Sequence, residues 1–102
     1  MAVSAKPKKL SPHNLEVERA ALGAMISSDR ARAEIISMLE PQDFYSEAHQ
    51  ITFTVLSAMH VVGEPIDGVT LADSLKGDDK IPGDKKGLYV HTLISSCPVT
   101  TQ

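Results

Sequence analysis

Trp is absent from this sequence, and only two Phe, two Tyr and one Cys occur among its 102 residues. With Cys97 alone, no internal disulfide can form, which excludes a disulfide-stapled secreted scaffold and fits a reducing cytoplasm. Long apolar runs are missing too: none approaches the ~20 residues that a membrane span requires. Met1 to Leu10 is polar and Lys-bearing, without the apolar stretch that marks a secretory signal. No phosphate-cradling loop exists either, since Gly83 and Gly87 are separated by Asp-Lys-Lys and lack the following Lys-Ser/Thr. What is present suits a single globular domain. With 42 % apolar residues, a chain of this length can bury roughly 60–70 % of its unfolded surface.

Charge is unevenly placed. The first ten residues carry Lys6, Lys8 and Lys9 and no acid. From His13 to Pro98 there are seven Lys/Arg against thirteen Asp/Glu, a surplus of six negative charges. A domain built to grip a phosphate backbone concentrates basic residues on its folded part. Here the folded part is acidic, and residues 1–11 read as a disordered basic tail.

Periodicity predicts helices and nothing else. Asn14 is an N-cap, with Glu16 and Glu18 at the positive end of a first helix that brings Leu15, Leu22, Met25 and Ile26 onto one face. Ser27-Ser28-Asp29 reads as a break and a new cap; Ala31, Ile35, Ile36 and Leu39 follow at helical spacing until Pro41 stops them. Ser46 caps the longest helix, Glu47 to about Val62, ended by Gly63. That helix has one apolar stripe in Phe53, Leu56 and Met59 and another in Ile51, Val55, Ala58 and Val62, a pattern that places it in the middle of a bundle. Thr70 to Asp73 has the form of a capping box opening a short helix through Leu75. Gly77 to Gly87 reads as the most exposed loop, and a last helix runs from about Lys86 to Ser96, stopped by Pro98. The expected fold is all-α, a compact orthogonal bundle of about five helices.

Chemistry is hard to place on this chain. His13, His49, His60 and His91 lack the acid-flanked i, i+4 pattern of a zinc helix, and His49 reads as a core or capping residue. Cys97 has no motif around it. Asp78, Asp79 and Asp84 do not match the EF-hand spacing and read as a solvated turn. Phe44 and Tyr45 neighbour Asp43 and Glu47, so they form no stacking platform for bases; they are expected to pack the turn beneath the long helix. No catalytic residue and no metal ligand is assigned. The residues alone point to an acidic helical protein-interaction module.

Three spaced motifs go further. Pro12-His13-Asn14-Leu15-Glu16-Val17-Glu18 is followed by Leu22-Gly23; Asp43-Phe44-Tyr45 precedes His49 and Phe53; Gly63-Glu64-Pro65-Ile66-Asp67 precedes Val69-Thr70-Leu71. In order and spacing they resemble the N-terminal domain of bacterial DnaB-type replicative DNA helicases, over about residues 12 to 100. The sequence departs from that family at Lys85-Lys86, where a Gly-Gly pair usually precedes the last helix.

The resemblance implies a helical head at residues 12–98, with 99–102 beginning the connection to a helical hairpin that this chain lacks. It implies a non-catalytic role: hexamer collar assembly with other helicase subunits, and docking of a DnaG-type primase. ATP and Mg would belong to the full-length helicase, with no cofactor in this chain, and DNA would be met only through the full-length hexamer. A cytoplasmic protein with no membrane partner is expected. Glu16 and Tyr89 match family positions implicated in primase coupling and are the partner-binding candidates. A stand-alone mimic of the helicase head, or a nucleic-acid-binding module with Lys6, Lys8 and Lys9 as its arm, are the alternatives.

Overall fold

The computed structural model describes residues 14–83 and 86–96. Expectations about the basic tail, Pro12, His13, Asp84, Lys85, Cys97, Pro98 and the connection at 99–102 lie outside these residues. The described chain folds into five helices: α1 (Leu15–Ser27), α2 (Asp29–Met38), α3 (Glu47–Val62), α4 (Gly68–Leu75) and α5 (Lys86–Ser95). A single 3-10 turn, Pro41–Asp43, precedes α3, and no strand occurs among the described residues. The all-α reading holds.

The helix starts follow from short polar side chains. Asn14 Oδ1 accepts from the Val17 amide at 3.1 Å, Ser28 Oγ from Ala31 at 3.1 Å and Ser46 Oγ from His49 at 3.4 Å. Each satisfies an amide that helix geometry leaves without a partner. Gly63 ends α3 at φ +80°, a left-handed conformation that a side chain would strain.

One start falls elsewhere than expected. The cap of α4 is Asp67 rather than Thr70: Asp67 Oδ1 accepts from Val69 and Thr70 amides, both at 2.9 Å, and Thr70 Oγ1 accepts from the Asp67 amide at 2.9 Å. Asp-x-x-Thr and Thr-x-x-Asp have the same form, and the first is completed here because Asp67 is extended. Helix α4 thus begins at Gly68. A Cβ there would meet Ile94 Cδ1 at 3.3 Å and Val90 Cγ1 at 3.7 Å, so glycine lets the start of α4 lie close against α5.

The core joins Leu22, Met25 and Ile26 of α1 to Phe53, Leu56 and Met59 of α3, with Leu71 and Leu75 of α4 and Val90 and Leu93 of α5. The first apolar stripe of α3 is therefore buried as its spacing predicts. The second is not: Ile51 and Val55 are half-buried, and Ala58 and Val62 are exposed. Helix α3 packs its first stripe against α1 and α4 and leaves its second stripe partly outside the core.

Two loop expectations are also corrected. Phe44 is buried and its ring lies 5.1 Å from that of Phe53, but the Tyr45 side chain is 57 % exposed. The turn has room beneath it for one ring. The segment from Gly77 to Gly87 is not uniformly exposed either. Ile81 is 2 % exposed, and the Lys86 ammonium, also buried, donates to the carbonyls of Ile81 at 2.8 Å and Gly83 at 2.6 Å. A cation at a helix N-terminus is opposed by the helix dipole. Two carbonyls replace the water it gives up.

Candidate functional site

Two of the sequence motifs meet inside the molecule at a buried carboxylate. Glu18, on α1, is 0 % exposed. Its Oε2 accepts from the Tyr45 amide at 2.6 Å, and its Oε1 from His49 Nδ1–H at 2.7 Å and more distantly from the Ser46 amide at 3.4 Å. A buried carboxylate is tolerated only when its lone pairs are filled this way. Glu18 is thus a bolt between α1 and the start of α3, rather than the helix-dipole acid its position suggested. The pair is not an open acid–base centre. His49 is itself only 5 % exposed, and Nδ1 makes the ring's hydrogen bond among the described residues.

Beside this bolt lies a groove of about 660 Å³ between α1, α5 and the start of α3. Leu15 and Arg19 form one wall, Leu88, Tyr89 and Thr92 the other, and Pro82 and Gly83 close one side. Leu88 is 75 % exposed although it is a large apolar residue on a helix. It stands at the rim of a groove whose lining is largely apolar.

Tyr89 lines this groove. Its hydroxyl turns inward, within 2.8 Å of Thr52 Oγ1 and donating to the Ala48 carbonyl at 3.3 Å, both on α3. Burial raises its pKa above 10.0, and the hydrogen bond with Thr52 offsets part of that rise. The ring, not the hydroxyl, is what Tyr89 can offer to a partner. Glu16 is exposed on the first turn of α1 but does not line the groove. Of the two candidate residues, Tyr89 lines the groove and Glu16 does not.

Sequence reasoning missed several residues that matter. Leu88 and Arg19 were not singled out, since a lone Leu or Arg at a helical position carries no local signal. Arg32 was missed for the same reason: it is buried on α2, donating to the Met25 carbonyl at 2.9 Å and to His60 Nδ1 at 3.1 Å and pairing with Asp29. It satisfies a carbonyl at the end of α1 while tying α2 to α3. Among the described residues there is no cluster of three His, Cys, Asp or Glu able to hold a metal, and no helix long and apolar enough to cross a membrane.

Comparison with known proteins gives this arrangement its context. The family described as DnaB-like helicase N terminal domain matches residues 10–102. The chain is 33 % identical over 92 residues to the replicative DNA helicase DnaB of Leifsonia xyli subsp. xyli, covering 90 % of this chain and 20 % of that protein. It is 36 % identical over 95 residues to the replicative DNA helicase DnaB of Mycobacterium leprae, covering 85 % and 14 %. Its fold superposes on the crystal structure of the N-terminal domain of DnaB helicase from Mycobacterium tuberculosis with a TM-score of 0.77 and 37 % identity, covering 85 % of this chain and 63 % of that one. The chain thus spans about a fifth or less of the length of these curated relatives. What the matches cover is the helicase N-terminal domain and not the catalytic ATPase domain. On the family match across nearly all of its length, this chain belongs to the DnaB-like helicase N-terminal domain family.

Proposed function

We propose that the chain is the non-catalytic head of a replicative DNA helicase, contributing to a hexameric collar and docking a DnaG-type primase during DNA replication. ATP and Mg act in the motor of such a helicase, and unwinding belongs to the whole assembly rather than to this domain. The observation that carries the docking reading is the α1–α5 groove with Leu88 exposed at its rim. Apolar surface of this kind is stabilised when a partner covers it, and aromatic rings such as Tyr89 make effective anchors beside it. Collar assembly rests on family membership alone.

Calorimetric titration of this chain with the C-terminal domain of a DnaG-type primase tests the docking reading. Wild type is expected to bind. Leu88→Glu should weaken binding by about tenfold or more, because it buries a carboxylate against the groove's apolar wall. Since Leu88 is exposed, the fold should be untouched, and circular dichroism checks this. Equal affinity for wild type and Leu88→Glu would remove the groove from the docking surface.

A further inference from the structure

The groove has a charge as well as a shape. Among the described residues, twelve Asp/Glu stand against six Lys/Arg, yet none of the acids lines this groove. Its charged side chain is Arg19, half-buried on the second turn of α1. Arg19 has neither a hydrogen bond nor an ion pair among the described residues, whereas Arg32 is engaged on three sides. The second groove, about 770 Å³ between α4 and α5, differs in this respect: Asp67, Asp73, Lys76 and His91 all line it, so its charges are mixed.

A half-buried guanidinium without an acid is an incomplete interaction. Water solvates it only in part, and five N–H donors in a planar fork suit a carboxylate held bidentately. Around it the groove is apolar: Leu15, Leu88 and the Tyr89 ring. Two helix walls side by side offer a trough of the kind that receives a third helix.

We propose that the groove takes an amphipathic helix from the partner, which lays apolar side chains on Leu15, Leu88 and Tyr89 and presents a carboxylate to Arg19. This rests on the docking reading above and adds the chemistry of the occupant. An acidic domain repels acidic segments in general; an acid-free groove with Arg19 in its wall gives the partner's carboxylate a place to settle. The charge therefore fixes register, and the apolar contacts supply affinity.

The test uses the full chain and the same primase C-terminal domain. Arg19→Glu should reduce affinity by about tenfold or more, while Arg19→Lys, which keeps the charge but not the fork, should lose less. Wild-type affinity should fall with added salt, and that dependence should flatten in Arg19→Gln, which also serves if Arg19→Glu fails to fold. Reversing the acidic residue on the primase side to Lys should restore binding to Arg19→Glu. Unchanged affinity in the Arg19 variants alongside loss in Leu88→Glu would overturn the acidic occupant and leave docking at the groove standing. Unchanged affinity in both would end the docking reading as well. Concentration-dependent dimerisation abolished by Leu88→Glu in light scattering would assign the groove to a second copy and overturn the proposal.

Discussion

At the scale of single residues, Glu18 is the position where the fold has least tolerance. Three donors converge on one fully buried carboxylate, and two of them are backbone amides that cannot turn elsewhere. Glu18→Ala would leave those amides and the His49 ring without their acceptor inside the protein. Leaving three donors without their acceptor in this way costs roughly 3 kcal/mol or more. For a domain of this size that corresponds to a fall in Tm of at least about 12 °C. Glu18→Gln keeps one acceptor oxygen and should fall less, so thermal melts of the two variants separate the carboxylate from the packing. Equal melting temperatures for Glu18→Ala and wild type would show that the bolt does not hold. The sequence placed Glu18 correctly on the first helix but assigned it to the helix dipole. Its real partners lie 27 to 31 residues away, and nothing local in the chain reports them.

At the scale of elements, what was legible in the sequence was whatever local chemistry decides. Asn14, Ser28 and Ser46 cap their helices because a short side chain bonds an amide three residues on. The surfaces between elements were harder to read. Val62 at the end of α3 looks like core by spacing, yet it is 68 % exposed because no described helix covers that side. Lys86 looks like loop solvent by composition, yet it closes the Ile81–Gly83 turn beside the groove. Both outcomes depend on which element arrives from elsewhere. The α3–α5 contact through Tyr89 is of this kind and has a pH signature. Its neutral phenol is held in the fold, whereas in the unfolded chain it ionises near 10.0. Stability from this contact is therefore complete below pH 10 and declines as pH rises from there through the higher folded value. Wild type should lose Tm more steeply than Tyr89→Phe above pH 10, and parallel curves would show that the hydroxyl is not buried against α3.

At the scale of the whole molecule, the balance of charge separates a protein-docking head from a nucleic-acid grip. The described residues hold twelve acids against six bases, so the folded surface repels a phosphate backbone. The compensating lysines, Lys6, Lys8 and Lys9, belong to the first ten residues. Contacts of so few charges are screened over about 8 Å at physiological ionic strength. Three phosphate contacts on single strands would give a salt slope of only about −2. The chain alone should therefore leave the mobility of a single-stranded oligonucleotide unchanged at about 0.15 M salt. A shift at that salt, lost when Lys6, Lys8 and Lys9 are replaced by Ala, would make the basic segment a nucleic-acid arm. Binding would then be carried by Lys6, Lys8 and Lys9, outside the described residues, and the acidic surface would serve to keep the strand off the helices.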